Sequence, residues 1–584
     1  MSMRKVLLFA AVSVLSMLPF AEAVSYGYVD CDDYSYVFGH GEVRGGITPA
    51  GIKWAFSSVD EGIWMPLTWL SYMLDGEFGG GASVRHAHSI ALHGLNAGLV
   101  FLMLLALMPA LGGKTGRTNA AIAMFCALLW GVHPLRCESA VWIASRKDVL
   151  SLFWMLVATL LWLSGGKKAW WASLAAFTLS ATAKPSVMTL PLLLGILDVF
   201  IRRNVRWQRL VWYAPVAVAT GVLAAMAQHA GGATVELANT SLIWRLLNAV
   251  AACGVYIWHS VWPADLAVQC MARYPEMPRF LVPGLALCAA LGAFLWVRCR
   301  KVVSTNRPVD SPDGLTAGLL WFLVAVGPML GIAGFGYHAF ADRFTYIPAI
   351  GLSIAAFAVC LKARAAGRNL VIAALAALCV AFGARAAVQT RYWRDDLSMW
   401  RRTIEVDGPR NTVAQLGVAV WHFEHDHDID ASIKAFDIVC KYRPQLLETC
   451  FDRYMMALCE AGDIARANEL MPKLVALNEQ VVLRENRKAH AKGISQNVRE
   501  TEWFILARAA WFIAQKMYGA AEGELSRIAA NEPNSRPMLY LRGRLAEAQG
   551  DRMGRDKCWR QLLEHGTGDE IARYRFVAEL DSVQ

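Results

Sequence analysis

Acidic residues are grouped where the chain leaves its first apolar run, in the stretch DCDDYSYV. Asp30, Asp32 and Asp33 fit an ordinary solvated loop, and composition alone favours that interpretation. A carboxylate at a membrane surface can also act as a general base, if it is close enough to take a proton from an acceptor. Composition does not separate the two interpretations.

A second group of ionisable residues lies at 131–151, in GVHPLRCESAVWIASRKDVLS, between two apolar runs. Its members are His133, Arg136, Glu138, Arg146, Lys147 and Asp148. Each unpaired ionisable group is costly at lipid depth. Snorkelling of long side chains to the interface accounts for Lys147 and is an option for Arg146. It accounts poorly for Glu138 and His133, so this loop is a candidate for chemistry.

Two further charged positions interrupt apolar sequence. Lys184 is a lone cation in ATAKPSVMTLP, and Asp342-Arg343 lies in YHAFADRFTYIP. Arginine suits a phosphate through its bidentate fork, and lysine suits it as a point charge. A lipid-borne phosphate held beside a carboxylate is the arrangement needed to transfer a sugar from a polyprenyl phosphate. The cations would stabilise the departing phosphate and the acid would deprotonate an incoming hydroxyl.

The elements that carry these residues are predicted to be membrane helices. The 584-residue chain is 56% hydrophobic and only 18% charged, and the apolar residues fall in long runs. Its net charge of +10 is carried largely in short loops between these runs, as the positive-inside rule predicts, so no nucleic-acid partner is inferred. The eleven predicted spans are Val6–Phe20, Ile90–Leu111, Asn119–Leu135, Val149–Leu163, Ala169–Ala183, Val187–Ile201, Leu210–Ala227, Phe280–Val297, Leu315–Ile332, Phe344–Leu361 and Leu370–Val388.

The basic loops predict which segments share one membrane face. If Leu242–Trp262 also spanned, later basic loops would change sides, so this segment is predicted to lie in the plane or to re-enter. The first helix is expected to stay attached, although Ala21-Glu22-Ala23 resembles the end of a cleaved signal peptide. The predicted external segments are 21–89, 133–148, the short link at Lys184, 228–279 and 334–343.

The carboxyl-terminal third is predicted to be a separate helical domain. The membrane domain is assigned to 1–388 and this second domain to 389–584, on the same outer side because the number of spans is odd. Residues 411–444 approximate the period and helix-turn-helix pattern of a tetratricopeptide repeat, and weaker copies bring the total to about four. Such stacked helices often bind extended polypeptide, although a purely structural cap is the alternative.

Seven motifs follow one another along the chain: DCDDYSYV, WMPLTWLSYMLD, RHAHSIALHGLN, HPLRCESAVWIASRKDVLS, AKPSVMTLPLLLGILD, ADRFTYIP and YWRDDLSMW. Their order resembles the bacterial relatives of the transmembrane-and-tetratricopeptide O-mannosyltransferases, membrane glycosyltransferases of the GT-C fold. The likeness covers roughly residues 25–405 by motif. The fold class implied is an all-α polytopic membrane domain followed by an α-solenoid.

The resemblance implies a polyprenyl-phosphate sugar donor, inverting transfer, and a catalytic base in the pair Asp32-Asp33, with Asp32 favoured. The other implied positions form three groups. The second acidic loop contributes Glu138 and Asp148, the donor phosphate is matched by Arg146, Lys184 and Arg343, and a candidate pocket is lined by His86, His93, His133 and Asp342. Relatives often have histidine where Met65 stands and asparagine where Ser89 stands, which weakens the inference about the acceptor.

The predicted function is sugar transfer to an acceptor hydroxyl, with protein Ser/Thr O-glycosylation as the leading hypothesis. A transferase acting on a glycolipid or envelope polysaccharide is the alternative, and a non-catalytic membrane scaffold is a third. Partners would be the polyprenyl-phosphate-linked sugar, an acceptor polypeptide or envelope glycan, and membrane lipid. No cofactor is implied, and the 13 cysteines show no metal-ligand spacing. The expected location is the inner membrane, with the active-site loops and second domain on the periplasmic or other extracytoplasmic side.

Overall fold

The structure is a computed structural model that describes residues 2–114, 116–230, 241–268, 270–271, 278–305, 312–332, 338–364, 367–491 and 499–564. Parts of the predicted external segments 228–279 and 334–343, and the end of the second domain, lie outside the described residues. The chain forms two compact units, Met1–Met399 and Trp400–Gln584. Residue 388, where the sequence analysis placed the domain boundary, lies within the helix Arg368–Arg391 of the first unit.

The first unit is built almost entirely from helices. Two short antiparallel strands, Cys270–Met271 and His338–Phe340, are paired with each other. Short helices and helical turns include Asp33–Val37, Gly41–Arg44, Asp60–Gly62, Pro134–Arg136, Cys137–Val141, Ile143–Ser145, Pro185–Thr189, Asp198–Arg202, Trp207–Leu210 and Asp342–Thr345. The longer helices are Met3–Met17, Pro49–Ser57, Pro66–Glu77, Ala82–Leu107, Arg117–Gly131, Arg146–Ser164, Lys167–Ala183, Leu190–Leu197, Ala214–Ala230, Leu242–Val261, Pro278–Thr305, Gly314–Val326, Ala349–Leu361 and Arg368–Arg391. The helix Asp396–Asp407 contains the boundary between the two units.

Within the described ranges, eight helices are long and apolar enough to cross a membrane, or nine if a pair bent by 56° at 131–134 is one span. This is fewer than the eleven predicted. Lys167–Ala183 has 17 residues, and Gly314–Val326 and Ala349–Leu361 have 13 each, whereas a straight span needs about 20. Prolines at 185, 328 and 348 stand next to these helices, and a proline weakens a helix because it has no backbone N–H to donate.

The segment predicted to lie in the plane forms one helix, Leu242–Val261, of 20 residues. Its length and composition are those of a span. The in-plane placement therefore gains no support from helix length and stays a prediction.

Close helix packing in the first unit depends on small residues. A Cβ atom added to Gly318 would overlap the carbonyl oxygen of Gly351 on the neighbouring helix. The backbones of these two helices therefore approach each other directly, as small residues allow between membrane helices. The helices of the first unit surround one large apolar core that includes Phe101, Trp162 and Trp321.

The second unit consists of paired helices, as predicted. The described residues of this unit form four successive pairs: Thr412–Glu424 with Ile429–Tyr442, Phe451–Glu460 with Ile464–Ala491, Glu502–Ala514 with Tyr518–Ala529, and Arg536–Ala548 with Arg552–Glu564. Glycines permit close packing here too, because a Cβ on Gly417 would overlap Trp400 and one on Gly543 would overlap Trp559. The all-α fold with a membrane part and a helical repeat part is confirmed. Assignment to tetratricopeptide repeats stays a prediction.

Candidate active site

Asp32 and Asp33, the pair predicted to contain a general base, have opposite environments. Asp32 occupies the N-cap position of the short helix Asp33–Val37 without a side-chain capping hydrogen bond, and it is exposed, with a left-handed backbone (φ 68°). Residues other than glycine rarely adopt this conformation, although aspartate and asparagine do so more often than most. Asp33 is only 1% exposed. Of the two acids, Asp32 is therefore the one that an acceptor could reach from solvent.

Asp33 connects the first loop to the second. Its two carboxylate oxygens accept hydrogen bonds from the backbone N–H groups of Val29 at 3.1 Å and Ala144 at 2.8 Å. Nearby, the indole N–H of Trp142 donates to the carbonyl oxygen of Cys31 at 2.8 Å. Burial raises the pKa of Asp33, and the two backbone N–H groups oppose this effect only in part. These bonds give Asp33 a positioning role.

Glu138 and Arg343 form a buried ion pair between the second loop and the turn Asp342–Thr345. The backbone N–H of Arg343 also donates to Glu138 at 2.8 Å, so the carboxylate receives both the side chain and the main chain of one residue. Glu138 is 4% exposed and Arg343 is 8% exposed. The structure thus brings together two predicted site residues that are far apart in the sequence.

Lys184 and Asp148 form a second buried ion pair. Lys184 stands at the break between Lys167–Ala183 and the turn Pro185–Thr189, where its ammonium reaches Oδ1 of Asp148. The other carboxylate oxygen of Asp148, Oδ2, is buried and has no hydrogen-bond partner among the described residues. Two of the three predicted phosphate-binding cations are therefore already paired with acids of the second acidic loop.

Two aromatic rings bring three cations into one cluster. The Arg343 guanidinium carbon lies 5.1 Å from the ring centroid of Trp142 and 4.9 Å from that of Phe344. Nζ of Lys147 lies 5.9 Å from the Trp142 centroid, and Nζ of Lys184 lies 5.8 Å from the Phe344 centroid. We refer to Lys147, Lys184 and Arg343 as the cation cluster. Asp32 directly precedes Asp33, which accepts from the backbone N–H of Ala144, and the carbonyl oxygen of Ala144 accepts from Lys147, so the exposed acid is linked to this cluster through Ala144.

The snorkelling interpretation of Lys147 is wrong. The residue is 6% exposed, and its ammonium donates to the carbonyl oxygen of Ala144 at 2.6 Å and to the Tyr36 hydroxyl at 3.1 Å. A snorkelling lysine keeps its charged head in water. The ammonium of Lys147 instead turns inward because the second loop folds against the first.

Arg146, a predicted phosphate-binding residue, belongs to a separate network. It is fully buried, and its N–H groups donate to Asp75, Ser89, Ser71 and the carbonyl oxygen of Arg85 at 2.7–2.9 Å. Its remaining N–H faces Nδ1 of His88 at 2.9 Å. A guanidinium has five N–H groups, so protein groups already surround all of them.

Asp75 is the acid of this network, and the sequence analysis missed it. Its side chain is 2% exposed and lies 2.9 Å from Arg146, 3.7 Å from Arg85 and 2.6 Å from His88. Burial alone would raise the pKa of Asp75, but the His88 hydrogen bond and the Arg146 charge lower it overall. The only available signal was its position at the end of the motif WMPLTWLSYMLD.

The predicted pocket histidines contact main-chain groups. His86 lies 2.9 Å from the carbonyl oxygen of Val141 and 3.1 Å from that of Gly27, and His133 lies 3.2 Å from that of Ser260. Fully buried His93 contacts the hydroxyl of Tyr346 and the carbonyl oxygen of Gly131, each at 2.8 Å. These contacts give them a packing role.

Asp342 contacts Nδ1 of His259 at 3.2 Å and thereby joins the helix Leu242–Val261 to the turn Asp342–Thr345.

Glu61 is a further acid that the sequence analysis missed, and it has a left-handed backbone (φ 57°). Burial and the Asp32 charge raise the pKa of Glu61.

In the described part of the chain, no group of three His, Cys, Asp or Glu side chains is arranged to hold a metal ion. The need for a cofactor is untested.

Comparison with known proteins shows similarity to an O-mannosyl-transferase. The chain is 28% identical over 202 residues to protein O-mannosyl-transferase Tmtc1 of Drosophila melanogaster. The aligned part covers 32% of this chain and 22% of that protein, so the chain spans about a fifth of the length of the relative it matches. No protein-family model matches the chain, and no solved structure matches it.

The similarity supports the predicted relationship in part. It supports a distant likeness to an O-mannosyl-transferase of the transmembrane-and-tetratricopeptide type, and with the apolar helices it supports a multi-pass membrane protein with glycosyltransferase-like character. A bacterial origin does not follow from it.

Proposed function

We propose that the chain is a membrane glycosyltransferase of the GT-C type that transfers a sugar from a polyprenyl-phosphate donor to an acceptor hydroxyl. The observation that carries this proposal is the exposed carboxylate of Asp32, which is linked through Asp33 and Ala144 to Lys147 of the buried cation cluster. A base open to the acceptor and cations suited to a phosphate are the two groups that this reaction needs.

In the proposed reaction, the acceptor hydroxyl oxygen attacks the anomeric carbon of the donor sugar and passes its proton to Asp32. The bond from the anomeric carbon to the phosphate oxygen breaks, and its electron pair leaves with the polyprenyl phosphate. Attack from the side opposite the leaving group inverts the configuration. Arg343 and Lys184 stabilise the negative charge that develops on the phosphate.

The buried acids have supporting roles in this proposal. Asp33 holds the segment that carries Asp32 against the second loop, and Glu138 and Asp148 orient Arg343 and Lys184 through the two ion pairs. Because protein groups surround all its N–H groups, Arg146 is proposed to position the second loop without contacting the donor.

The acceptor is proposed to be a protein serine or threonine, docked by the helical repeats of the second unit. The relative is a protein O-mannosyl-transferase, which is in line with this acceptor class. The site and the second unit are proposed to lie on the extracytoplasmic face, because basic residues concentrate in the loops on the other side of the predicted spans.

Sugar transfer by the full-length chain in proteoliposomes tests the proposal. Labelled polyprenyl-phosphate sugars are offered with serine- and threonine-containing peptides. Asp32→Asn should lower kcat by about 10²- to 10⁴-fold with little change in KM for the donor, because only proton transfer is lost. Glu42→Gln, an exposed acid in the same loop region, is the matched control and should retain activity.

Two results would contradict the proposal. Full transfer by a folded Asp32→Asn variant would remove Asp32 as the base. Transfer to glycolipid but to no peptide, with envelope proteins that mass spectrometry finds unglycosylated, would replace the protein acceptor with the alternative acceptor class.

A further inference from the structure

The cation cluster contains one charge that the protein does not neutralise locally. Lys184 is paired with Asp148, and Arg343 is paired with Glu138. Among the described residues, no carboxylate oxygen lies within the 4.0 Å of an ion pair from the ammonium of Lys147. Lys147 is therefore the cluster member without an ionic partner.

The neighbouring acids do not fill this role. Both oxygens of Asp33 accept backbone N–H groups, and burial raises the pKa of this carboxyl. Asp148 exerts the larger attraction on Lys147, but its carboxylate is already the ionic partner of Lys184. Asp32 attracts Lys147 less, and because Asp32 is exposed, water screens this attraction. The buried part of the site thus retains about one uncompensated positive charge.

The surroundings of Lys147 are suited to a ligand oxygen. An ammonium has three N–H donors, and two of them donate to the Ala144 carbonyl and the Tyr36 hydroxyl. The Tyr36 ring centroid lies 4.5 Å from Nζ, which stabilises a cation without neutralising it. One donor remains for an additional acceptor.

A buried and unpaired charge is expensive to maintain. A protein that keeps one beside two paired cations is expected to use it for a ligand of opposite charge. The pairing of Lys184 and Arg343 also limits their capacity to neutralise such a ligand. Lys147 has no carboxylate partner among the described residues that would compete with a ligand for its charge.

We propose that Lys147 binds the anionic phosphate group of the lipid-linked donor and supplies the positive charge that neutralises it. The inference rests on the proposed function. It assigns to Lys147 the phosphate-binding role that the sequence analysis assigns to Arg146. The phosphate would lie between Lys147 and Arg343, whose charges both contact the Trp142 ring.

Binding by the full-length chain in lipid nanodiscs tests this inference without any sugar transfer. The probe is polyprenyl monophosphate, and the comparison probes are polyprenol, inorganic phosphate and phosphatidylglycerol. Lys147→Gln should weaken binding of polyprenyl monophosphate by roughly 10- to 100-fold, because a charge-assisted hydrogen bond is lost. Lys147→Arg should retain part of the affinity. Exposed Lys168→Gln is the matched control and should bind like the wild type.

Melting of the ligand-free variants separates a binding role from a structural one. Lys147→Gln removes an unpaired charge, so its melting temperature should stay close to that of the wild type. Lys184→Gln leaves the buried carboxylate of Asp148 without its partner and should melt at a clearly lower temperature.

The inference would be overturned if folded Lys147→Gln bound polyprenyl monophosphate as tightly as the wild type. Equal affinity for polyprenol, inorganic phosphate or phosphatidylglycerol would also overturn it, because the site would then not select a polyprenyl phosphate. Binding that depends on Lys147 in a protein that transfers no sugar to any acceptor would support this inference and contradict the proposed function.

Discussion

Replacement of Asp75 by alanine should destabilise the first unit strongly. Among the described residues, Asp75 is the one carboxylate within 4.0 Å of Arg146 and Arg85. The side chains of these arginines are 0% and 3% exposed. Removing one member of a buried ion pair typically costs 3–5 kcal/mol, because the other charge stays buried and unpaired. We expect a loss of about 4 kcal/mol, which changes the folding equilibrium by roughly 10²- to 10⁴-fold.

The measurement is reversible unfolding in mixed micelles, followed for single and double variants. Arg146→Met removes the other charge, so the Asp75→Ala and Arg146→Met double variant should lose less stability than the sum of the single losses, by at least about 1 kcal/mol. The exposed control Glu42→Gln should stay within about 0.5 kcal/mol of the wild type. A loss below about 1 kcal/mol for Asp75→Ala, or strictly additive effects, would refute the argument that this network is a buried charge pair.

Three further predictions concern pH, the loops and helix packing. The pKa of Asp75 is lowered in the folded protein, so the stability that its charge contributes is fully present above about pH 4, the ordinary pKa of an aspartate. This stability is lost as the pH falls through the folded-state pKa. On acidification, the melting temperature of Asp75→Asn should therefore fall less than that of the wild type. Asp33→Ala should raise amide hydrogen exchange at Val29 and Ala144, and unchanged exchange at both would contradict the bridging role. Gly318→Leu should cost more than about 2 kcal/mol of stability in the same unfolding assay, whereas Gly292→Ala, with open space around its Cβ position, should be neutral or slightly stabilising.

The helical membrane architecture followed from local sequence, because long apolar runs have few alternatives in a bilayer. The ends of the spans were less predictable. The apolar runs at 315–332 and 344–361 continue past the prolines at 328 and 348, whereas the helices Gly314–Val326 and Ala349–Leu361 do not. Hydropathy locates an apolar run, whereas backbone hydrogen bonding determines where the helix begins and ends.

The site was predictable as a set of residues but not as a set of partners. Arg146 and Lys147 are adjacent in the sequence, yet one is surrounded by Asp75, Ser71 and Ser89 and the other faces Tyr36. These partners are 57–111 positions away, so no local pattern could distinguish the two cations. Asp32 and Asp33 differ for a related reason, because the left-handed backbone at Asp32 is a property of the folded turn.

The carboxylate of Asp33 has a consequence for how the protein responds to its lipid environment. One oxygen holds the backbone of Ala144, three residues before Lys147, and the acid itself follows Asp32 directly. The separation between Asp32 and Lys147 is therefore fixed by hydrogen bonds between loops. Membrane helices tilt when a bilayer becomes thinner or thicker. Because the bond to Ala144 ties the segment of Asp32 to the start of the helix that carries Lys147, tilting of that helix should move the two groups together.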